Sequence, residues 1–306
     1  MHVKNVSSLA EVASRGAYAA RHPLLLSRAL TYYGRRAASD VLAGFRVYDY
    51  RHRVIFLAGM AMGGSTWMKN LLAGIPGYYT RRMRMPYEVH YRQDICDSAF
   101  ACVPKHGYAL FKTHLNPTDA NLEVLFRNGV EKVVAIHRDP RDVAIGRYHR
   151  LVDVPKSRDS PDFIDYQALG KERALDDSIQ VVAGEFVWWI QGWLRLARVD
   201  PDRFFVVKYE NLRADPPGVF KQVLSFYGIH LDDRTVARIV ERAKGRRTFK
   251  RNWSAANVLP FGLASNFRSG RVGQWREEMT PRQIELCKDL LGDPLIELGY
   301  ERDLNW

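Results

Sequence analysis

The chain has 306 residues, 46% hydrophobic and 26% charged, enough for one large α/β domain or two small ones with a full core. Nothing in it approaches the roughly 18 uninterrupted apolar residues of a membrane span, Met1 to His22 lack the apolar block of a secretion signal, and three scattered cysteines (Cys96, Cys102, Cys287) exclude a disulfide framework or a zinc site, so reduced thiols in a cytoplasm are expected. A net charge of +12 favours anionic partners: nucleic acid, an anionic membrane surface or a polyphosphorylated small molecule.

Residues 8 to 50 carry apolar positions three and four apart (Leu24, Leu25, Leu26, Ala29, Leu30, Tyr33) with arginines between them. That spacing predicts a helical N-terminal extension over residues 1 to 50, packed on the rest of the chain or docked peripherally on a membrane or partner. Residues 51 to 306 are expected to form a single α/β domain. Four short apolar runs predict buried parallel strands: Val54 to Ala58, Tyr108 to Lys112, Lys132 to His137 and Arg203 to Lys208. Helical segments follow three of them, at Ser65 to Ala73, Arg141 to Leu151 and Pro217 to Tyr227. Strands alternating with helices imply a P-loop-like central parallel sheet with helices on both faces. Residues 152 to 180 are polar and read as a loop or short helices, and Glu185 to Arg198 returns to helix. Residues 245 to 275, rich in Arg, Asn, Ser and Gly, show little periodicity, and so long an irregular stretch points to function. The last helix is expected to begin at Thr280, capped by its hydroxyl, with Pro281 in the first turn.

The first strand runs into Gly59-Met60-Ala61-Met62-Gly63-Gly64-Ser65-Thr66-Trp67 and then a helix. Glycines let successive N–H groups turn inward on an anion, and the helix N-terminus adds its positive end. Ser65 and Thr66 are expected to cap the helix and donate to phosphate oxygens. The spacing from Gly59 to Gly64 resembles a Walker loop, but Ser65 stands where the lysine belongs, which counts against a kinase or ATPase. A glycine turn without a ligand is the bland alternative. Arg138, where the third strand ends, projects into the crevice at which open α/β sheets bind ligands, and its guanidinium suits a phosphate; an ion-pair partner is the structural alternative. Phe267-Arg268-Ser269-Gly270-Arg271-Val272-Gly273-Gln274-Trp275 places arginines on flexible backbone able to close over an anion.

Together these segments resemble the sulfotransferase family that uses 3′-phosphoadenosine 5′-phosphosulfate (PAPS), over about residues 53 to 300 and in the family's order. Gly63-Gly64-Ser65-Thr66-Trp67 is similar to the 5′-phosphosulfate loop, with Trp67 at the adenine-stacking position. Lys112-Thr113-His114 resembles the motif bearing the catalytic histidine. His137-Arg138-Asp139-Pro140-Arg141-Asp142 resembles the 3′-phosphate motif, Val207-Lys208-Tyr209 the strand end whose tyrosine faces the base, Thr248-Phe249 a pair near adenine, and Arg268-Ser269-Gly270 the closing basic loop. The resemblance implies PAPS as donor, no metal, and in-line sulfuryl transfer to an acceptor hydroxyl or amine. It gives His114 the role of general base and Lys112 that of stabilising developing charge.

Four positions depart from the cytosolic branch's usual pattern: Met62 replaces a loop lysine, Gly146 a serine for the 3′-phosphate, Ser269 a lysine, and residues 276 to 290 lack the dimerisation motif. A non-catalytic PAPS-binding relative is therefore an alternative, and a P-loop kinase a more distant one. No nucleic-acid reader motif is present. The acceptor, a small molecule, lipid or carbohydrate, is expected near His114 against residues 84 to 108 and 150 to 190, with Tyr87, His90, Tyr91, Phe100, Phe163 and Tyr166 as aromatic wall.

Overall fold

In the computed structural model, which describes residues 23–81, 83, 93–153, 164–245 and 270–306, β1 (Val54–Gly59) is buried at every position. Val54, Phe56 and Ala58 join one apolar cluster while Ile55 and Leu57 join another, because successive strand side chains point to opposite faces. Burial on both faces is what makes the strand sequence an unbroken apolar run. The remaining strands are β2 (Tyr78–Thr80), β3 (Tyr108–Thr113), β4 (Val133–His137) and β5 (Phe204–Lys208). All pair in parallel, in the order β2-β3-β1-β4-β5, so β1 is central. Four strands agree with the sequence expectation to within one residue at each end. Strand β2 has only three residues, directly after a Pro-Gly pair, and its pattern is too short to separate from a loop.

Helices cover both faces of the sheet. One layer is built on α2 (Ser65–Leu72), α8 (Tyr209–Ala214), α9 (Pro216–Phe226) and α10 (Asp233–Gly245), which contribute Met68, Leu71, Leu212, Phe220, Val223 and Val240. The other is built on α3 (Asp119–Arg127), α4 (Pro140–Asp153), α6 (Lys171–Val181), α7 (Val187–Val199) and α12 (Pro281–Glu297), which contribute Leu125, Val143, Ile179, Trp193 and Leu291. Two short helices, α5 (Tyr166–Leu169) and α11 (Trp275–Glu278), complete it. The polar stretch after residue 152 thus contains α5 and α6; its sparse apolar residues are the buried stripe of α6. Helix α12 starts with the expected cap, extended to a capping box by Gln283. The N-terminal helix α1 (Pro23–Gly44) covers the edge at β2: Tyr32 donates to the Thr80 carbonyl at 3.1 Å, and Asp40 pairs with Arg81 at 2.5 Å. No helix among the described residues is long and apolar enough to cross a membrane.

Arg141, only 1% exposed, pins the start of α4. It bonds Asp139 through both Nε (3.0 Å) and Nη2 (2.8 Å), pairs with Glu301 at 2.6 Å, and lies between the rings of Trp275 and Trp306 at 4.0 and 4.4 Å. Deleting one partner of such a pair strands the others without water. Arg141→Met is expected to lower stability by about 3–5 kcal/mol, measured by chemical denaturation; a loss within experimental error would show the pair to be dispensable.

Candidate functional site

Beyond Gly59 the chain turns through Met60 to Gly64 into α2. Met60 N donates to the Ile136 carbonyl (3.0 Å) and Gly63 N to the Met60 carbonyl (3.1 Å), fixing the turn against β4. Gly64 has φ of 85°, and a Cβ there would overlap the Tyr209 ring, so glycine is required for backbone and for space alike. Ser65 and Thr66 do not cap the helix: Gly64 is the N-cap, with no side-chain cap bond. The left-handed turn at Gly64 places both hydroxyls inside the first turn, after the cap position. The positive end of α2 is left without a side-chain acceptor of its own, the condition in which an anion binds there.

Tyr209 organises the neighbouring side. Its hydroxyl donates to the Gly270 carbonyl at 2.9 Å, the Trp67 ring meets it edge-on at 6.2 Å, and the Arg138 guanidinium lies 4.8 Å from its ring centroid. Trp67, Tyr209, Arg138 and Gly270 therefore come together beside Gly63, Gly64, Ser65 and Thr66. Trp67 Nε1 and Arg138 Nε are buried without a hydrogen-bond partner, two donors suited to an anionic nucleotide. Thr248, Phe249, Arg268 and Ser269 lie outside the described residues.

Arg138 is also an ion-pair partner, through Nη2 to Asp142 Oδ2 (2.9 Å) and to the Arg271 carbonyl. Asp142, with no exposed side-chain surface, accepts Gly273 N at 2.8 Å and Trp275 N at 3.2 Å as well. It is a positioning residue that sequence reasoning passed over, although its place four residues after Arg138 on a helix start was a signal. Behind it Glu210 accepts from Asp139 N (3.0 Å) and from the Tyr300 hydroxyl (3.2 Å), which also meets His137 Nδ1 at 3.1 Å. Burial, with Lys208 close by, pushes His137 down to about 3 and keeps it neutral, while burial raises Glu210.

His114 sits where β3 ends. Its Nδ1 is in hydrogen-bond contact with the Gly59 carbonyl, which can only accept, so Nδ1 carries the hydrogen. Nε2 is left with its lone pair, and Lys112 Nζ lies 3.3 Å away as donor. A cavity of about 80 Å³ opens beside the ring, lined among others by Gln93, Asn116, Glu185, Phe186 and Trp188. Phe100 and Tyr166 are not part of it: Phe100 packs edge-on against Phe111 at 5.5 Å, and Tyr166 bonds to Asp177 and Arg147. Both satisfy the core, which takes apolar and aromatic side chains first. Tyr87, His90, Tyr91 and Phe163 lie outside the described residues.

Residues 52–298 match the family model described as a sulfotransferase domain. The chain is 24% identical to cytosolic sulfotransferase 17 of Arabidopsis thaliana, over 83% of this chain and 78% of that protein. It is 25% identical to human sulfotransferase 2B1 over 78% of this chain, a match spanning 64% of the human protein. A mouse sulfotransferase solved with PAP shares the fold, with a TM-score of 0.61 and 18% identity over 87% of this chain and 91% of that one.

Two departures from the family pattern turn out to touch. Met62 takes φ of 60°, and a Cβ on Gly146 would lie 3.1 Å from Met62 Cβ and 3.4 Å from its Cγ. Arg147 offers no replacement charge, since its Nη1 is bonded to Asp177 (3.0 Å), Ser178 (3.2 Å) and Tyr166. Gly146→Ser is expected to cost about 1–3 kcal/mol by overpacking, and clearly less in a Met62→Ala background. Equal costs in denaturation of the two would show that Met62 is not what excludes the side chain.

Proposed function

The chain belongs to the sulfotransferase family and is a PAPS-dependent sulfotransferase; on that premise we propose that it sulfates a hydroxyl or amine of a small-molecule, lipid or sugar acceptor with His114 as general base. The observation that carries this is the Gly59–His114 contact, which fixes the tautomer and holds Nε2 as the proton acceptor at the cavity. When bound, PAPS supplies an activated sulfuryl group on a good leaving group. Gly63, Gly64, Ser65 and Thr66 would hold its 5′ end, Arg138, Arg268, Ser269 and Gly270 its 3′-phosphate, and Trp67, Tyr209, Thr248 and Phe249 its base. Lys112, within hydrogen-bond reach of His114 Nε2, provides positive charge near the transferring group, a role that the thioether of Met62 cannot fill. As the acceptor hydroxyl enters, it replaces Lys112 at Nε2 and gives up its proton there.

Met62 favours a second reading, a relative that binds PAPS without turning it over. In this proposal residues 1–50 are a helical extension, whose α1 packs on the β2 edge of the domain formed by residues 51–306. Exposed Leu30 and Val41 on α1 and Phe45 just after it, with exposed Arg35 and Arg46, suit peripheral contact with an anionic membrane surface.

Adenosine 3′,5′-bisphosphate at about 100 times its Kd is expected to stabilise the fold by about 2.7 kcal/mol, and Mg-ATP to leave the melting temperature unchanged; the reverse pattern would favour a kinase. His114→Ala is expected to cut kcat by roughly 100-fold or more with bisphosphate binding retained. Wild-type turnover in that variant, measured by transfer of labelled sulfate, would remove His114 from the chemistry. Absence of labelled-sulfate transfer from PAPS across an acceptor panel, by native chain shown in a separate titration to bind the bisphosphate, would favour the binding-only reading.

A further inference from the structure

We propose that the acceptor carries a positive charge, a protonated or quaternary amine, and that Glu185 and Trp188 recognise it while His114 addresses the group to be sulfated; this rests on the acceptor site proposed above. Glu185 lies in a π-helical turn, Val182–Phe186, between α6 and α7. The wider turn breaks the regular helical line and delivers Glu185 and Phe186 to the cavity that His114 lines, a use to which such turns are often put.

Glu185 is exposed at the mouth of that cavity. Carboxylates of the adjoining helices have partners: Glu172 and Asp176 pair with Arg282, Asp177 with Arg147, and Glu278 with His149. Among the described residues no cation pairs with Glu185, in a chain where Lys and Arg number 46 against 34 Asp and Glu. Among the described lining residues, Phe186, Trp188 and Trp189 add aromatic surface beside it. Trp188, three residues on, is 44% exposed; Phe186 is half-buried; Trp189 spends its indole N–H on the Leu115 carbonyl at 2.7 Å and presents its ring. A carboxylate among aromatic faces is the chemistry that holds an ammonium group. A neutral acceptor in the same place would gain no charge attraction from Glu185, and an anion would be repelled. Gln93 and Asn116 remain as neutral hydrogen-bonding groups for the rest of the molecule.

Three phenols of nearly the same shape test this: tyramine, 4-propylphenol and 3-(4-hydroxyphenyl)propionate, cationic, neutral and anionic. Their Kd values are read by calorimetry with and without adenosine 3′,5′-bisphosphate, and kcat/KM with labelled PAPS. Tyramine is expected to bind roughly tenfold or more tighter than 4-propylphenol. Glu185→Gln should bring that ratio to about one, and Glu185→Lys should favour the propionate. Equal binding of tyramine and 4-propylphenol by the native protein, or a preference that survives Glu185→Gln, would overturn the proposal. Because the phenols are also titrated alone, a failure of bisphosphate binding speaks against the donor site and leaves the charge preference measurable.

Discussion

A carboxylate with no access to water must be neutralised by whatever surrounds it, and around Asp142 those groups come from two distant parts of the chain. The guanidinium of Arg138 arrives from the end of β4, and the amides of Gly273 and Trp275 from the segment after residue 270. Meeting that one electrostatic demand fixes Gly273 and Trp275 against the start of α4. It also sets the guanidinium against Tyr209, whose ring in turn excludes any side chain at Gly64. The loop from Gly59 to Gly64, the strand-end arginine and residues 270–275 are thus one packed unit whose centre is a buried negative charge.

Much of this was legible in the sequence because its causes are local. Continuous apolar runs report strands buried on two faces, and β1, β3, β4 and β5 follow from them. The grouping of Trp67, Arg138, Tyr209 and Gly270 follows from motif order. What was not legible depends on contacts between distant residues. The capping role expected of Ser65 and Thr66 fails because Tyr209, some 140 residues later in the chain by its numbering, forces a left-handed glycine at the cap. The π-turn that sets Glu185 at the cavity leaves no mark on a helical pattern, since the residues on both sides keep ordinary helix spacing. Phe100 and Tyr166 look the same in a sequence whether they line a cavity or fill a core.

Met62 and Gly146 read as two separate losses in the sequence, a missing cation and a missing hydroxyl. In space they are one contact, in which the methionine occupies room that a side chain at position 146 would need. Restoring either residue of the common pattern alone disturbs a packed arrangement, so the two positions are better regarded as a joint replacement. Under the proposed function, positive charge reaches the transferring group from β3, through Lys112, rather than from the loop itself.

The contact between His114 Nδ1 and the Gly59 carbonyl has a directional consequence under the proposed mechanism. The carbonyl belongs to the central strand and cannot move aside, so the imidazole exchanges hydrogen through Nε2 alone, on the acceptor's side. A proton collected there has no rear exit. It returns to solvent by the way it came, once the sulfated product has cleared the cavity, and the order of departure at the end of each cycle is set by a backbone oxygen.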